Sequence, residues 1–382
     1  MQKKFLLAPG PTPVPERALL AMAEPMLHHR TPQFEAIFKE AAEGLRWLFQ
    51  TEKDVLILAA SGTGGMEGSI ANFFSPGDKA LVVNGGKFGE RWTKICQAYG
   101  LNVTEIMIEW GKAVDPKAVA DALKADPEIR GVFVQASETS TTASHPVKEI
   151  ADIVKGCENT ILIVDGITAV GVYDVPMDKW GIDILVTGSQ KALMLPPGLA
   201  FVGVSDKAWK FNETAKCPRF YFDFKRERKN LKDNTTAYTP AVSLIIGLRE
   251  VLRAMKEEGL ENIFARHNRL ARATRAAMQA IGLRLLAAES PADSCTGVFA
   301  PEGIDGGKLF KVLKDTMGVT MAGGQDHLKG KIIRIAHLGY VDTFDTIVAV
   351  ASIEMALKKM GYNVPMGQGV AAAQEILLEG YK

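Results

Sequence analysis

From about residue 50 to residue 205, short apolar runs rich in β-branched residues alternate with longer segments whose apolar residues recur every three or four positions. The short runs predict buried strands and the longer segments amphipathic helices. Such alternation is typical of an α/β fold with a mostly parallel sheet covered by helices on both faces. The predicted strands are residues 55–60, 80–83, 103–108, 131–136, 161–165, 184–187 and 200–204. The predicted helices are residues 64–74, 89–99, 116–125 and 147–154.

The pattern changes after residue 240. Two long amphipathic segments, residues 240–258 and 261–281, are separated at Gly259 and predict two helices. The elements beyond them are shorter, which predicts a second, smaller domain of α+β structure. Its expected elements are a strand at residues 297–300, a helix at 306–315, a strand at 331–336 and a long helix at 343–360.

The amino-terminal segment differs from both regions because it contains Pro9, Pro11, Pro13 and Pro15. Alternate prolines disfavour a helix and predict an extended arm. A chain of 382 residues is also long enough to divide into domains. The expected organisation is an extended arm at residues 1–20, a large domain at 21–257 and a small carboxyl-terminal domain at 258–382.

Charge and the length of apolar runs exclude several classes of protein. The chain has 45 Lys and Arg against 44 Asp and Glu, and its one charged run, residues 225–229, is interpreted as a solvated loop. No apolar run approaches the ~20 residues that cross a bilayer, and the first residues lack the apolar core of a signal peptide. The four cysteines form no metal or redox spacing. We therefore expect a cytoplasmic protein without a metal and without nucleic acid or membrane partners.

The most informative polar residues follow two of the predicted strands. Lys191 comes after strand 184–187, just before Pro196-Pro197-Gly198, and Asp165 ends strand 161–165. Because the carboxyl ends of parallel strands share one edge of a sheet, both side chains are expected in one crevice. Pyridoxal phosphate needs a lysine for its aldehyde and an acid beside its ring nitrogen. The pair therefore indicates this cofactor. Taken alone, Lys191 could be a surface residue, and Asp165 could cap a helix or form an ion pair.

A phosphate site is expected at the Gly-rich turn after strand 55–60. The turn reads Ala60-Ser61-Gly62-Thr63-Gly64-Gly65, and backbone amides at a helix start bind phosphate. Other strand ends offer Phe88, which can stack on an aromatic ring, and Thr139, whose hydroxyl can donate to a ring oxygen. Each feature also has an ordinary structural interpretation: the Gly-rich segment as a tight turn, Phe88 as a core residue and Thr139 as part of a hydroxyl-rich turn. A Gly-rich turn after a strand also occurs in nucleotide-binding sites.

Together these residues resemble the class V, fold-type I aminotransferases over nearly the whole chain. The nearest resemblance is to the alanine–glyoxylate and the serine–pyruvate or serine–glyoxylate aminotransferases. It is carried by the segments Ala8-Pro9-Gly10-Pro11-Thr12-Pro13, Ser61-Gly62-Thr63-Gly64, Gly188-Ser189-Gln190-Lys191-Ala192 and Ile333-Arg334-Ile335. The lysine segment, with the Pro-Pro-Gly that follows it, is specific, whereas the Gly-rich turn is not. The resemblance implies a transaminase that depends on pyridoxal phosphate.

The resemblance also implies a role for each matching residue. Lys191 would bind the cofactor aldehyde and then act as general base, and Asp165 would pair with the ring nitrogen. Phe88 stands where some relatives have tryptophan, which keeps the stacking but removes an indole donor. The other implied contacts are Thr139 and Gln190 at the ring oxygen and phosphate region, Thr63, Gly64 and Gly65 at the phosphate, and Arg334 at the substrate carboxylate.

In relatives a further phosphate contact comes from the neighbouring subunit. The resemblance points here to the segment at residues 234–240, with Thr239 favoured and Thr236 as second candidate. An alternative role for Thr239 is to cap the helix that follows. The implied assembly is a homodimer with sites shared between its subunits.

The expected substrates are a small amino acid, alanine or serine, and a 2-oxo acid, glyoxylate or pyruvate. A dicarboxylate such as aspartate would need a second cation, and the sequence does not place Arg30, Arg226 or Arg228. Transamination of 2-aminoethylphosphonate is a related alternative. A different class of function is a cofactor-binding subunit of a larger complex without turnover of its own.

Overall fold

Strands and helices alternate along the computed structural model, which describes residues 3–381. In chain order the strands are β1 (Phe5–Leu6), β2 (Val55–Leu58), β3 (Lys79–Asn84), β4 (Asn102–Met107), β5 (Ile129–Gln135), β6 (Ser137–Glu138), β7 (Ala143–Ser144), β8 (Ile161–Asp165), β9 (Ile184–Gly188), β10 (Ala200–Val204), β11 (Cys295–Phe299), β12 (Val319–Thr320), β13 (Ala322–Gly323) and β14 (Ile332–Ala336). The helices are α1 (Glu16–Met22), α2 (Pro32–Phe49), α3 (Gly62–Phe73), α4 (Lys87–Ala98), α5 (Pro116–Ala125), α6 (Val147–Lys155), α7 (Met177–Trp180), α8 (Asp206–Thr214), α9 (Phe224–Leu231), α10 (Val242–Glu258), α11 (Leu260–Ala280), α12 (Gly306–Lys311), α13 (Thr343–Lys359) and α14 (Gln368–Leu377). A π-helical turn at Val312–Thr316 extends α12, and 3₁₀ turns lie at Asp326–Leu328 and Leu378–Tyr381.

The main sheet has the strand order β2, β10, β9, β8, β5, β3, β4. β10 runs antiparallel to both of its neighbours, and the other pairs are parallel. All the strands predicted between residues 50 and 205 belong to this sheet, so the expected mostly parallel α/β sheet is confirmed. In the register Gln135 pairs with Asp165, and Asp165 with Val186. The carboxyl ends of three central strands therefore lie side by side.

Both faces of the main sheet are buried, because alternate side chains of a strand point to opposite faces. In β8, Leu162 and Val164 join one apolar cluster, whereas Ile161 and Ile163 join the other. Helices α2 and α10 cover the first face, and α3 and α8 cover the second. Fully burying one such side chain contributes about 1.5–3 kcal/mol. Both faces of the sheet are therefore apolar, and the polar residues of a functional site are expected at the ends of the strands.

A second core lies in the carboxyl-terminal region. β11, β14 and β13 form an antiparallel sheet, and apolar side chains of β14, α11 and α13 pack together with Leu7 from the amino terminus. Helix α10 ends at Glu258, and Gly259 separates it from α11 as predicted. Ile263, near the start of α11, still packs in a core of the main sheet. The division of the chain at residues 257–258 stays a prediction.

The amino-terminal arm is shorter than predicted. Strand β1 pairs in parallel with β12, and the Leu7 carbonyl accepts from the Ala336 amide, so the extended chain docks on the carboxyl-terminal region. Helix α1 starts directly after Pro15, a residue whose fixed φ suits a helix start. Residues 16–20 are therefore helical, which corrects the prediction of an extended arm at 1–20. Residues 1 and 2 of that arm, and residue 382 of the predicted small domain, lie outside the described residues.

The charged run at residues 225–229 lies in helix α9, so the prediction of a loop is wrong. The Asp223 side chain caps the first turn of α9 by accepting a backbone N–H. Phe224 is buried, and its ring lies 6.0 Å from the ring of Phe73. The capping acid before the run and the buried aromatic at its start stabilise the helix, and neither belongs to the charged run itself.

His145 gives the fold a testable pH dependence. Its ring is buried, and the Val114 amide donates to its Nδ1 at 3.1 Å. Burial lowers the pKa of His145 from 6.5 to about 4. Because the folded protein favours the neutral ring, this stabilisation is present above pH 6.5 and is lost as the pH falls from 6.5 towards 4.

Asparagine keeps an acceptor at this position but does not titrate. Between pH 7 and pH 5, we expect the free energy of unfolding of the wild type to fall by about 2 kcal/mol more than that of His145→Asn. Urea unfolding of both proteins at the two pH values measures this difference. The same pH dependence in both would contradict the prediction.

Candidate active site

A cavity of about 90 Å³ lies at the carboxyl edge of the main sheet. It is formed by the segments that follow β2, β3, β5, β8 and β9, as expected for a ligand site in a parallel sheet. Its lining residues are Ser61, Gly62, Thr63, Phe88, Arg91, Ser137, Thr139, Asp165, Ile167, Thr168, Gln190 and Lys191. The structure therefore brings together six of the residues singled out in the sequence: Thr63, Phe88, Thr139, Asp165, Gln190 and Lys191.

Lys191 lies in the loop between β9 and β10, and its amine donates a hydrogen bond to the carbonyl of Pro9. The Thr12 hydroxyl donates to the Lys191 carbonyl at 2.8 Å. Gly10 has a φ of +126°, and a Cβ there would lie 2.2 Å from Nζ of Lys191. The amino-terminal arm thus covers the lysine, which requires glycine at position 10. Burial lowers the pKa of Lys191 to about 8.

Asp165 is the last residue of β8, and its carboxylate is buried in the cavity wall. Oδ1 accepts from the Ile167 amide at 2.9 Å. Within residues 3–381 no basic side chain forms an ion pair with it, and burial raises its pKa to about 7. A protonated ring nitrogen placed against Asp165 would supply the missing cation and favour the ionised carboxylate.

The Gly-rich turn contributes Ser61, Gly62 and Thr63 to the cavity, whereas the resemblance implied Thr63, Gly64 and Gly65. Helix α3 begins at Gly62, with Ser61 as its N-cap, so the first amides of the helix belong to Gly62 and Thr63. The amides of Gly64 and Gly65 already donate to the Ser61 carbonyl, at 2.8 and 3.4 Å. Gly64 and Gly65 also pack tightly against neighbouring side chains and do not line the cavity. We therefore replace them by Ser61 and Gly62 as candidate phosphate contacts, and Thr63 stays.

Phe88 and Arg91 lie one turn apart on α4. The guanidinium carbon of Arg91 is 4.8 Å from the centre of the Phe88 ring, and Nη1 donates to the Thr63 hydroxyl at 3.0 Å. Within the described ranges no carboxylate pairs with Arg91. The sequence interpretation missed this cation, although its i, i+3 spacing from Phe88 places both on one helix face.

Thr139 and Gln190 both contribute polar groups to the cavity wall. The Thr139 hydroxyl is 2.8 Å from the Thr168 hydroxyl. Oε1 of Gln190 is buried and has no hydrogen-bond partner in the structure. A buried acceptor without a donor costs free energy, so this atom is expected to receive a hydrogen bond from a ligand.

Arg334 lies on β14 of the carboxyl-terminal sheet; it does not line the cavity itself but contacts the lining residue Thr139. Its guanidinium is buried, with Nη1 donating to the Thr139 carbonyl at 2.7 Å and Nε to the Gly323 carbonyl at 3.0 Å. No carboxylate in the described part of the chain forms an ion pair with it, and burial lowers its pKa. A buried guanidinium with spare donors is suited to bind a carboxylate.

The remaining sequence candidates lie outside this cavity. Thr239 lines a surface groove of about 620 Å³, and Thr236, which donates to the Tyr238 carbonyl, lies in a neighbouring small cavity. Arg228 pairs with Asp54 at 2.8 Å, and Arg226 donates to the Tyr238 hydroxyl at the same distance. Arg30 is exposed. None of these groups reaches Lys191 within one chain.

The sequence of the chain matches a known protein family. Residues 5–339 match the family described as aminotransferase class-V. The chain belongs to this family. Its members depend on pyridoxal phosphate, so the chain is a pyridoxal-phosphate-dependent aminotransferase.

The class-V relatives of the chain carry several names. A protein named soluble hydrogenase 42 kDa subunit, from Anabaena cylindrica, is 46% identical over 98% of both chains. An L-aspartate–glyoxylate aminotransferase from Paracoccus denitrificans is 39% identical, covering 97% of this chain and 95% of its own. A serine–glyoxylate aminotransferase from Methylorubrum extorquens is 36% identical, covering 99% and 96%. The ureidoglycine–glyoxylate aminotransferase of Bacillus subtilis has a similar structure, with a TM-score of 0.92, 30% identity and 98% of both chains covered.

The residues present fit the cofactor of this class-V chain. Lys191 can bind the cofactor aldehyde. Asp165 has no cationic partner, and a protonated ring nitrogen would supply one. The buried Oε1 of Gln190 has no hydrogen-bond donor, and the cofactor could provide one. Between residues 3 and 381 no cluster of three or more His, Cys, Asp or Glu side chains could hold a metal ion. In the same range no helix is long and apolar enough to span a bilayer.

Proposed function

We propose that the chain transfers the amino group of alanine or serine to glyoxylate or pyruvate. The observation that carries this proposal is the buried Arg334, which has no acidic partner in the described residues and lies against the wall of the Lys191 cavity. A buried cation is costly unless it is paired, and the α-carboxylate of a substrate would pair with it. The relative named serine–glyoxylate aminotransferase supports a small donor.

Each residue of the site has a task in this reaction. Bound pyridoxal phosphate supplies an aldehyde that takes up the amino group and a ring that accepts electrons. The Lys191 amine binds the aldehyde carbon and, once free, moves the proton at the α carbon of the substrate. Asp165 keeps a proton on the ring nitrogen, and Phe88 covers one face of the ring. Arg334 orients the substrate carboxylate through two parallel hydrogen bonds.

A donor and acceptor screen tests the proposal. Purified protein loaded with pyridoxal phosphate is incubated with alanine, serine, aspartate or 2-aminoethylphosphonate, each with glyoxylate or pyruvate, and the products are separated and quantified. We expect the highest kcat/KM for alanine or serine. A preference for 2-aminoethylphosphonate would overturn the proposed donor but leave the reaction type intact.

Aspartate is a second candidate donor, which Arg91 favours. Arg91 lines the cavity and has no carboxylate partner in the described part of the chain, so a second substrate carboxylate has a cation within the same cavity. The relative named L-aspartate–glyoxylate aminotransferase supports this candidate. If the screen favours aspartate, Arg91→Gln should lower its kcat/KM much more than that of alanine.

The names of some relatives support a third possibility, a cofactor-binding subunit of a larger complex. The screen separates this case from the others. A bound cofactor whose spectrum does not change with any donor would favour the subunit over the enzyme.

We also propose that the active unit is a homodimer whose subunits share their sites. Thr239 lines the groove at Met26, a largely exposed apolar side chain, and Phe220 is exposed beside Tyr238. Exposed apolar groups of this size favour burial against a partner. A second copy that covers them would bring Thr239 or Thr236 towards the phosphate of the opposite site.

Mixing two inactive variants tests the shared site. Lys191→Ala is combined with a Thr236→Ala/Thr239→Ala double variant under conditions of demonstrated subunit exchange. If the sites are shared, one site of each mixed dimer carries both lesions and the other carries neither, so activity should return, at most to about half per mixed dimer. Failure to recover activity, with proven defects in each parent, would show that each chain builds its own phosphate site.

The free thiols Cys96, Cys157, Cys217 and Cys295 are compatible with a reducing compartment. We propose the cytoplasm as its location on this basis, as the sequence leads us to expect.

Arg334→Lys tests the assignment of the substrate carboxylate. Lysine keeps the charge but cannot reproduce a planar two-point contact, so donor binding should weaken by roughly 1.5–3 kcal/mol, the range for a hydrogen bond to a charged group. Titrating the absorbance of the bound cofactor with donor measures the change. Arg275→Lys, at an arginine of the same region that pairs with Asp293, is the matched control and should bind normally. Equal affinity in all three proteins would place the carboxylate elsewhere.

A further inference from the structure

Glu138 is a fully buried carboxylate behind the wall of the active-site cavity. It accepts hydrogen bonds from four donors. Oε2 accepts from the backbone amides of Phe88 and Gly89, both at 3.0 Å, and Oε1 accepts from the amide and the hydroxyl of Ser140. No basic side chain of the described chain forms an ion pair with it. Its hydrogen-bond partners are these four neutral donors, and the Arg334 guanidinium interacts with it electrostatically.

Two of those donors are among the first amides of helix α4. A negative charge is favoured at that position, because the amides there lack intrahelical acceptors and carry the positive end of the helix dipole. The Lys87 amide donates to the Ser140 hydroxyl at 2.9 Å, so the same short segment caps the helix twice. The N-cap itself, Gly86, has no side chain, and a Cβ there would lie 2.4 Å from the Ser140 hydroxyl.

The capped helix and the capping segment both reach the cavity. Phe88 lies in the first turn of α4, and Thr139 lies between the two capping residues. Through Glu138 and Ser140, two cavity walls are joined by buried hydrogen bonds.

We propose that Glu138 is a positioning residue that holds Phe88 and Thr139 in the geometry that binds the cofactor ring. The inference rests on the cofactor placement proposed above. The carboxylate itself touches neither cofactor nor substrate in this proposal and acts through the two residues that do.

The chemistry of the cluster requires a carboxylate rather than an amide. Its two oxygens receive four donors, whereas glutamine has one acceptor oxygen and one NH₂ group. In either orientation the NH₂ of Glu138→Gln would face at least one backbone amide, which leaves that amide without an acceptor. The substitution therefore changes the hydrogen bonding but hardly the volume.

The test measures cofactor binding and ring geometry rather than turnover. For Glu138→Gln we expect the dissociation constant of pyridoxal phosphate to rise on the order of tenfold, the effect of losing about one hydrogen bond to a charged group. The circular dichroism band of the bound cofactor should weaken, because this band reports how rigidly the ring is held. Glu105→Gln is the matched control, since Glu105 bonds to Thr93 further along the same helix, and its cofactor binding should not change.

A double-mutant cycle separates positioning from a general loss of stability. If Glu138 acts through Phe88, Glu138→Gln should have a much smaller effect on the dissociation constant in a Phe88→Ala background. Additive effects, or an unchanged dissociation constant and dichroism band with lower unfolding stability alone, would overturn the inference. If Phe88→Ala itself leaves cofactor binding unchanged, the cofactor placement and the inference both fail.

Ser140→Ala keeps the proposal testable if Glu138→Gln does not fold. It removes one donor to Glu138 and the acceptor of the Lys87 amide but leaves the carboxylate in place. For Ser140→Ala we expect a smaller rise of the dissociation constant of pyridoxal phosphate and a smaller weakening of the circular dichroism band. If neither quantity changes, the proposal is overturned.

Discussion

Lys191→Ala should abolish transamination and the absorbance of the lysine-bound cofactor while the protein stays folded. No other amine lines the cavity within the described residues, so neither the bond to the aldehyde nor the proton transfer has a substitute. A positioned general base alone contributes about 10²–10⁴ to the rate, and the loss should be at least this large. Single-turnover kinetics with a bound donor measure the proton transfer directly.

The apo protein should not lose stability in this variant. Burial lowers the pKa of Lys191 from 10.5 to about 8, so at neutral pH the charged amine costs more free energy in the folded protein than in the unfolded chain, and its removal relieves that cost. Lys207, a partly buried lysine that donates to the Cys157 carbonyl, provides the control, and Lys207→Ala should keep normal turnover. Wild-type kinetics in Lys191→Ala would remove the lysine from the mechanism.

Asp165→Asn should lower kcat by about 10²–10³, the range for removing one preorganised electrostatic group from an active site. Asparagine can still accept from the Ile167 amide, so the fold is kept, but it cannot hold a proton on the ring nitrogen through its charge. Cofactor affinity should fall as well, because the ring loses its charge partner. Equilibrium dialysis and steady-state kinetics measure the two effects separately.

Asp183 offers a matched control for this substitution. It is a buried carboxylate just before β9, where it accepts from the Leu162 amide and the Ser205 hydroxyl, and burial raises its pKa too. Asp183→Asn should therefore cost stability without changing kcat. A similar fall of kcat in both variants would mean that the effect of Asp165→Asn comes from the fold.

The sheet and the two main site residues are predictable from the sequence because they depend on local rules. Short apolar runs predict the strands. Because Lys191 and Asp165 follow or end parallel strands, both are expected at the carboxyl edge of the sheet, without knowledge of the other segments. The prediction failed where one residue decides a boundary. Helix α3 begins at Gly62 because Ser61 caps it, two residues before the predicted start, and this shifts the free amides from Gly64 and Gly65 to Gly62 and Thr63.

Contacts between distant segments could not be predicted in this way. The Pro9 carbonyl accepts a hydrogen bond from Lys191, although the two lie 182 positions apart in the sequence. The periodicity of apolar residues predicts local elements and gives no information on such a long-range contact. Arg91 was missed for a different reason, since its helical spacing from Phe88 was available but its lack of an acidic partner becomes visible only in three dimensions.

The reversed direction of β10 has a consequence for the entropy of the reaction. A parallel strand would need a crossover to the other end of the sheet, but β10 is antiparallel to β9, so the chain returns through the loop at residues 189–199. Ser189 closes this loop, because its backbone bonds to Leu195 and Leu199 and its hydroxyl donates to the Pro196 carbonyl. Most of the loop's freedom is therefore lost when the protein folds. The backbone that carries Lys191 is therefore ordered before any ligand binds, so positioning the lysine for the reaction costs little further backbone entropy.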